Sequence, residues 1–375
     1  MTIASARRAR VLLLIPHLGG GGSERIAATL AQYLSPKKYE MHLGLVTNSF
    51  QAPKDLAPWI TVHALGAQRV RTSTWKLLRL VWQVRPAMVL SGMAHLNLLV
   101  LAIRPLFPSH TRVFVRQNGP LSATLATWRN PRLARRIYAA AYKRADWVIC
   151  QTRQMADELH RELGVDSAKL VVLPNPVDIP GLRASAAETK DVLTSPGPHL
   201  LAVARLAPEK GIDLLLKAFV GVLRRFPDAD LKIAGSGSCE SALQTQCKML
   251  GIEEQVRFLG NVAEPPLLFP CASLFVLPSR HEGMPNALLE AAAAGLPIVS
   301  LPASQGLVEL LGERPGIWLA SEVSARALED SLYDALSTIQ FGQRFRHSWI
   351  QPFDLKNAIP AYEDVIDQAL QERGA

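Results

Sequence analysis

The sequence predicts an α/β protein with two domains, each built on a parallel sheet, and three observations support this fold class. The chain has 375 residues, a length typical of two domains. Apolar runs of strand length alternate with helix-like segments, a pattern that favours parallel sheets. A polar, proline-bearing stretch at 173–198 interrupts the alternation, which then starts again. We therefore expect two domains of similar architecture joined near this stretch.

The first half begins with a strand, a glycine loop and a helix. Its predicted strands occupy 10–16, 41–47, 87–92, 111–117 and 146–152. The glycine loop and its helix cover 19–34, and a second helical pattern covers 135–145. We expect this half to form a domain that spans 1–180.

The second half repeats the pattern. Its predicted strands occupy 199–206, 230–237, 256–260, 274–279 and 297–301. Its helical patterns cover 211–227, 239–250 and a segment that starts at Pro285, a favoured first helical residue, and stops at Gly295. We expect a second domain that spans 181–350. A final helix within 351–375 is predicted to pack back towards the first domain.

The composition predicts a cytoplasmic protein. Hydrophobic residues make up 49% of the chain, as in soluble globular proteins. The most apolar region, 89–103, is shorter than the roughly 20 residues that span a bilayer, and the basic start of the chain lacks a signal-peptide cleavage site. The four cysteines show no metal-binding spacing, so we expect reduced thiols.

Charge is distributed unevenly along the chain. Residues 1–150 contain 21 lysines and arginines against 4 acids, a net charge of +17, whereas 151–375 contain 20 against 28, a net charge of −8. Basic clusters at 69–79 and 128–138 also contain tryptophan. The charge favours an anionic partner, and the mixture with aromatic residues favours an anionic membrane surface. No nucleic-acid-binding motif accompanies it, so no nucleic-acid partner is expected.

Two cations and two carboxylates stand where ligands of open parallel sheets bind. Arg205 and Lys210 lie between a predicted strand and a helix, Glu282 lies in a later loop of the same kind, and Glu290 lies in the helix behind it. Helix N-termini at such loops attract phosphates, and paired cations can clamp a diphosphate. Each glutamate would then bind the hydroxyls of one sugar ring. Taken alone, each motif is also compatible with charged groups on the surface, and an isolated pair such as Arg205 and Lys210 favours that interpretation.

Five motifs occur in register along the chain. They are Arg205-x-x-Pro-Glu-Lys-Gly211, the glycines Gly235 and Gly237, the stretch EGMPNALLEAAAAGLP at 282–297, GGSER at 21–25 and NPVD at 175–178. Together they resemble family 4 glycosyltransferases in order and spacing over essentially the whole chain. The resemblance implies a GT-B fold, in which two Rossmann-like domains face each other across a cleft.

The resemblance also implies roles for individual residues. Arg205, Lys210 and Glu282 are the catalytic candidates: the two cations would bind the diphosphate, and Glu282 would bind the transferred sugar together with nearby backbone amides. Glu290 would bind the ribose, and backbone at 259–261 would meet the base. The donor-binding candidates are Gly20, Gly21, Gly22, Gly235, Gly260, Asn261, Gly283, Met284, Asn286, Ala287 and Glu290.

Members of this family retain the anomeric configuration and usually need no metal. We therefore expect no cofactor, only a UDP-sugar or GDP-sugar donor, with the two cations stabilising the departing diphosphate. The one D-x-D, Asp228–Asp230, precedes a predicted strand and is interpreted as a turn away from the pocket.

The acceptor side departs from the family pattern. Many members carry a histidine after a first-domain strand, where this chain has Arg116, Gln117 and Asn118. Gln117 and Asn118 are acceptor-side candidates, together with His17 and His95, although interior or surface histidines are equally compatible with the sequence.

The predicted function is retaining transfer of a hexose from a nucleotide-diphosphate sugar to a hydroxyl acceptor. The expected acceptor is a saccharide, chiefly a lipid-linked saccharide of bacterial surface polysaccharide or lipopolysaccharide synthesis, met at the inner face of the membrane. A nucleotide-sugar 2-epimerase of the same fold and a non-enzymatic anionic-surface or nucleic-acid binding protein are the alternatives. A dinucleotide oxidoreductase is disfavoured because Glu24 and Glu240 replace the third glycine of G-x-G-x-x-G.

Overall fold

The structure is a computed structural model that describes residues 8–18, 21–47, 56–188, 197–262 and 264–371. The chain divides into two compact units. The first comprises Met1–Pro176 and Leu355–Ala375, and the second comprises Val177–Asp354. The sequence-based boundaries were 180 and 350, and the final helix belongs to the first unit.

The strands alternate with helices along the chain. The strands are β1 (Ala9–Ile15), β2 (Tyr39–Thr47), β3 (Thr61–Ala67), β4 (Met88–Ser91), β5 (Arg112–Arg116), β6 (Trp147–Cys150), β7 (Leu170–Val172), β8 (His199–Val203), β9 (Asp230–Ala234), β10 (Val256–Phe258), β11 (Leu274–Leu277), β12 (Ile298–Ser300) and β13 (Ile317–Leu319). The helices are α1 (Gly22–Tyr33), α2 (Thr74–Val84), α3 (Ala94–Ile103), α4 (Leu121–Ala126), α5 (Pro131–Tyr142), α6 (Arg153–Leu163), α7 (Ile179–Glu188), α8 (Ile212–Arg225), α9 (Glu240–Leu250), α10 (Asn286–Ala293), α11 (Gln305–Leu311), α12 (Ala325–Thr338) and α13 (Leu355–Gln371).

Each unit contains one parallel sheet. The first has seven strands in the order β3-β2-β1-β4-β5-β6-β7, and the second has six in the order β10-β9-β8-β11-β12-β13. Both orders reverse direction next to their first strand, as in doubly wound Rossmann folds. The predicted fold class, α/β with two Rossmann-like domains, is therefore confirmed.

Both faces of each sheet are covered. Along β1, Leu12 and Leu14 enter one hydrophobic core while Val11 and Leu13 enter the core on the other face. In β11, Phe275 packs on the face opposite its two neighbours. Strands buried on both faces become continuous apolar runs, which is why the sequence revealed them.

Helix α13 packs on the first unit. Ile359, Tyr362 and Ile366 lie in the same core as β1 and β2. The carboxylate of Asp367 accepts hydrogen bonds from the hydroxyl of Tyr39 and the amine of Lys38, at 2.5 and 3.0 Å. These contacts join the end of the chain to the start of β2.

Some boundaries and elements differ from the prediction. The strands β3, β7 and β13 were missed: β3 is half exposed, and the other two have three residues each. Pro285 precedes α10 as its N-cap in an extended conformation, so the helix begins one residue later than predicted. No described helix is both long and apolar enough to cross a membrane.

Candidate active site

The predicted donor residues converge at the carboxyl edge of the second sheet. Strands β8 and β11 are neighbours in this sheet although α8, β9, α9 and β10 lie between them in the sequence. The loop after β8 carries Arg205 and Lys210, and the loop after β11 carries Glu282. The two loops flank the position where the strand order reverses, which is where ligands of such sheets bind.

Glycine allows these two loops to touch. Gly211 ends a short 3-10 turn, Pro208–Lys210, in the left-handed region with φ of 63°. A Cβ on this residue would overlap the carbonyl oxygen of Pro278. The backbone contact therefore requires glycine both for its conformation and for space.

An ion pair links the loops at the centre of the candidate site. The Nζ of Lys210 lies 2.7 Å from Oε1 of Glu282, and the hydroxyl of Ser279 donates to the same oxygen at 2.7 Å. Glu282 is 8% exposed. Such a carboxylate is held in one orientation, because both donors fix the same oxygen.

Arg205 is held more loosely than Lys210. Its Nη2 lies 2.6 Å from Oε1 of Glu209, and its side chain is 70% exposed. Partial burial raises the pKa of Glu209, but backbone hydrogen bonding and the charges of Arg205 and Lys210 together lower it by more. The net pKa is therefore below the ordinary value. The Arg205 guanidinium is thus presented to solvent beside an ionised carboxylate.

The glycines of the second unit bring three loops together. Gly235, with φ of 136°, lies against the carbonyl of Ala204, where a Cβ would overlap that oxygen. Its N–H donates to the carbonyl of Gly260 at 2.7 Å. Asn261 follows, exposed, at the end of this contact. The candidate base-binding backbone is therefore connected to the loop that carries Arg205 through the loop of Gly235.

Helix α10 supplies the remaining donor candidates. Glu290 lies in its second turn and is 7% exposed, and Met284 is buried just before the helix. Gly283 is also buried, whereas Asn286 and Ala287 are half buried at the first turn. Glu282 and Glu290 are thus both largely buried, which a solvated loop acid and a surface helix acid would not be.

In the first unit, His17 and His95 follow β1 and β4, the strands that flank its own reversal point. His17 Nδ1 lies 3.2 Å from Oε1 of Glu24. Partial desolvation and the neighbouring His17 lower the pKa of His95. The geometry brings the two histidines near each other and leaves His95 exposed at the start of α3.

A carboxylate occupies the N-terminus of α1. The N–H of Gly21 donates to Oε2 of Glu24 at 2.6 Å, which closes the first turn. Glu24 is 4% exposed. Gly22 begins the helix, and Gly20 lies outside the described residues. The role predicted for this glycine loop remains a prediction.

Amides surround a buried arginine at the end of β5. Arg116 is 3% exposed and donates to the side-chain oxygens of Asn118 and Asn175. Gln117 accepts from the hydroxyl of Tyr142 at 2.8 Å and donates to the carbonyl of Gly119 at 2.8 Å. Gln117 is therefore buried within a network, and Asn118 is the more exposed of the two acceptor-side amides.

The D-x-D lies at the opposite edge of the second sheet. Asp230 begins β9 and pairs with His199, which begins β8. The amino ends of parallel strands face away from the edge that carries Lys210 and Glu282. An open pocket of about 510 Å³ lies between the starts of α8 and α9. Asp213 and Arg280 line this pocket, whereas Lys210 and Glu282 do not.

Three residues of the site were missed in the sequence. Ser279 orients Glu282, while Arg280 and Asp213 join the two loops. Asp213 lies just after Gly211, and Ser279 and Arg280 lie just before Glu282, so all three border the motifs that contained the predicted residues. The available signal was their position at strand ends; their partners depend on the sheet order, which the sequence did not specify.

Two family models match the chain. The model described as "Glycosyltransferase Family 4" matches residues 20–179, and the model described as "Glycosyl transferases group 1" matches residues 187–351. The matches extend through both units, and the chain belongs to the group 1, or family 4, glycosyltransferases.

Curated relatives match over different lengths. A Campylobacter jejuni protein, N-acetylgalactosamine-N,N'-diacetylbacillosaminyl-diphospho-undecaprenol 4-alpha-N-acetylgalactosaminyltransferase, is 25% identical over 90% of this chain and 92% of its own. An uncharacterized glycosyltransferase of Haemophilus influenzae is 36% identical over 33% of this chain and 35% of its own. Another uncharacterized glycosyltransferase, from Methanocaldococcus jannaschii, is 24% identical over 65% of this chain and 62% of its own. The chain thus spans less than two thirds of the last two relatives.

Solved structures share the fold. HepE of Anabaena, in complex with UDP and glucose, has a TM-score of 0.78 at 18% identity, covering 96% of this chain and 100% of that one. Sucrose-phosphate synthase from Thermosynechococcus elongatus has a TM-score of 0.81 at 16% identity, covering 97% and 100%. The GT-B fold is therefore established for this chain.

Proposed function

We propose that this glycosyltransferase moves a hexose from UDP-sugar or GDP-sugar to a hydroxyl acceptor with retention of anomeric configuration. The observation that supports the proposal is the contact between the two loops at the reversal point of the second sheet. In this contact Lys210 lies 2.7 Å from the buried carboxylate of Glu282, and Arg205, in the same loop as Lys210, pairs with Glu209. Cations at this edge suit a diphosphate, and a fixed carboxylate suits sugar hydroxyls.

The proposed chemistry uses charge that develops on the leaving group. The bond between the sugar C1 and the diphosphate oxygen breaks, and the acceptor oxygen bonds to C1 from the same face. The acceptor proton passes to the released diphosphate. Arg205 and Lys210 would stabilise the growing negative charge, while Oε2 of Glu282 accepts from a sugar hydroxyl, since Oε1 already has two donors.

A nucleotide panel tests the donor site. We expect UDP or GDP to raise the melting temperature and the matching nucleoside to do so less, because a ligand at 100 times its Kd adds about 2.7 kcal/mol.

Arg205→Ala should weaken diphosphate binding and slow transfer, and Glu290→Ala should chiefly raise the donor KM. Arg225→Ala, at the far end of α8, is the matched control. Unchanged kinetics in both site variants would refute the assignment.

We further propose that transfer is independent of added metal. The cation pair provides the charge that a metal would otherwise supply at the diphosphate, and Asp230 is engaged by His199 at the opposite edge. Activity should therefore survive EDTA. Complete loss that Mg²⁺ reverses would contradict this part of the proposal.

The proposed acceptor is a saccharide carried on a lipid diphosphate. The name of the Campylobacter jejuni relative describes such an acceptor for that protein, and the basic first half of this chain suits an anionic substrate. The test compares transfer to a lipid-linked saccharide with transfer to the same free saccharide. Release of a free sugar epimer without any acceptor would instead favour a 2-epimerase.

We propose that the first unit docks on an anionic membrane surface through two exposed helix faces. On α2, Trp75 and Trp82 are 79% and 52% exposed, one turn on either side of the exposed Arg79. On α5, Leu133 and Ile137 are 52% and 39% exposed among arginines. Aromatic and aliphatic groups at headgroup level, with cations beside them, suit an interface.

Vesicle co-sedimentation tests this docking. Each cation near an anionic surface contributes about 1 kcal/mol, and salt screens the attraction. We expect binding to vesicles that contain phosphatidylglycerol, weaker binding at high salt, and a loss in Trp75→Ala/Trp82→Ala. Trp59→Ala, an exposed tryptophan outside α2, is the control. Equal binding to neutral and anionic vesicles would contradict the proposal.

A further inference from the structure

Arg280 contacts three points of the neighbouring loop. Its Nη1 and Nη2 lie 2.7 and 2.6 Å from the two carboxylate oxygens of Asp213. Nη1 also donates to the carbonyl of Pro208 at 2.7 Å, and the backbone N–H of Arg280 donates to the carbonyl of Glu209 at 2.8 Å. One residue of the β11 loop thus bonds to both ends of the segment that contains Lys210.

The positions of these hydrogen bonds in the sequence determine which groups they hold in place. Pro208 and Asp213 bracket Lys210, while Ser279 and Glu282 flank Arg280 in the sequence. The Arg280 contacts therefore join the loop of Glu282 to the loop of Lys210 on both sides of Lys210 in the sequence. Asp213 lies in the first turn of α8, so the same contacts fix the direction in which that helix begins.

We propose that Arg280 is a positioning residue for transfer, holding the loop of Arg205 and Lys210 at a fixed distance from Glu282. The inference rests on the proposed function, because it concerns the same donor site. The fork of Arg280 donates to both carboxylate oxygens of Asp213 and to the carbonyl of Pro208, so these side-chain contacts are all with the neighbouring loop. It acts through the two catalytic cations and Glu282.

An arginine suits this task better than a lysine. A planar fork binds both oxygens of a carboxylate at once and still reaches the carbonyl, whereas an ammonium makes one dominant contact. Groups that stabilise a transition state must be held within about 0.5 Å of the productive position. Loss of the fork should therefore affect the rate of transfer more than the binding of the base, which the 259–261 backbone is proposed to meet.

The experiment compares full-length variants by donor KM, kcat, and binding of nucleoside diphosphate and nucleoside. Arg280→Ala should lower kcat by about 100-fold and weaken nucleoside diphosphate binding about 10-fold, with nucleoside binding unchanged. Arg280→Lys should recover part of kcat. Asp213→Asn keeps the side-chain shape and should lower kcat about 10-fold, so the inference does not depend on the folding of the alanine variant.

A double variant separates positioning from general damage. Arg280→Ala/Asp213→Asn should have the kcat of Arg280→Ala alone, because the two residues act through one contact. Arg225→Ala should retain wild-type kinetics. Two results would overturn the inference: multiplicative losses in the double variant, or a kcat of Arg280→Ala equal to that of the wild type. The proposed function would survive either result if the wild-type protein binds nucleotide normally. A wild-type protein that binds neither UDP nor GDP would overturn both.

Discussion

Two arginines at the carboxyl edges of the two sheets are held in different ways. In the second unit, Arg280 forms a two-pronged ion pair with Asp213, about one third exposed. In the first unit, Arg116 is 3% exposed, and its guanidinium donates to the amide oxygens of Asn118 and Asn175. Among the residues that the structure describes, no carboxylate pairs with Arg116.

The difference shows how charged groups are held at the carboxyl edge of each sheet, called the first edge in the first unit and the donor edge in the second unit. The donor edge contains three cation–carboxylate pairs, those of Arg205, Lys210 and Arg280. Its geometry is therefore fixed by attraction, and the cost of losing one partner is largest for the buried Lys210–Glu282 pair. At the first edge, neutral amides hold Arg116, so removal of the charge leaves only neutral groups with an unused acceptor.

The largest expected effect is that of Lys210→Met. The substitution preserves most of the side-chain volume but leaves Glu282, 8% exposed, without its cation. Breaking such a pair should lower the free energy of unfolding by about 3 kcal/mol, and transfer should fall by about 100-fold or more. Urea unfolding and steady-state kinetics measure the two effects. Arg205→Met, at a site that is 70% exposed, should impair transfer with little change in stability.

Arg116→Met is the matching change in the first unit. We expect a smaller loss of about 1 kcal/mol, because Asn118 and Asn175 lose a donor but no buried carboxylate is left unpaired. Gln151 still donates to the Asn175 oxygen at 3.3 Å. Urea unfolding of the two methionine variants side by side tests the comparison. A loss of unfolding free energy for Arg116→Met as large as that for Lys210→Met would contradict the comparison. It would show that removing the cation costs the same whether its partners are amides or a carboxylate.

Most of the fold could be predicted from the sequence. Strands buried on both faces, such as β1 and β11, become unbroken apolar runs, and these determined the two-domain prediction. The strand β3 escaped because an exposed edge strand need not be apolar. The strands β7 and β13 have three residues each, too few for a periodic pattern.

The site was predictable by position but not by partner. Strand-end reasoning identified Arg205, Lys210 and Glu282, because loops at the carboxyl edge of a parallel sheet are the usual ligand sites. The pairing of Lys210 with Glu282 depends on β8 lying next to β11, and 72 residues separate the two side chains in sequence. Arg280 and Asp213 became apparent only from side-chain geometry.

Acid should weaken the Arg280 contact as Asp213 takes up a proton. Hydrogen bonds from Arg280 lower the pKa of Asp213 below its ordinary value of 3.8, against the opposing effect of partial burial, and Lys217 lowers it further. A carboxyl with a depressed folded pKa stabilises the protein above its unfolded pKa, and this contribution is lost as the pH falls through the folded pKa.

Urea unfolding at several pH values measures this effect. Asp213→Asn should lower the free energy of unfolding by about 1 kcal/mol from pH 7 to pH 5, a modest value because the pair is one third exposed. The difference from wild type should shrink below pH 4. Asp330→Asn, in an exposed pair on α12, is the control and should change stability by less than about 0.5 kcal/mol. A difference that grows on acidification would contradict the assigned pairing.

The smallest expected effect is a gain, rather than a loss, in nucleoside diphosphate binding. Glu209 holds Arg205 at 2.6 Å on the surface, and a donor diphosphate must compete with this carboxylate for the guanidinium. An exposed ion pair contributes about 0.2–1 kcal/mol, so Glu209→Gln should tighten nucleoside diphosphate binding by about 1.4-fold to 5-fold. Calorimetric titration with UDP and GDP, with Glu313→Gln as an exposed control on the same unit, measures the change. Weaker binding in Glu209→Gln would mean that Glu209 orients Arg205 for the phosphates, and the donor edge would then be preformed rather than released by its ligand.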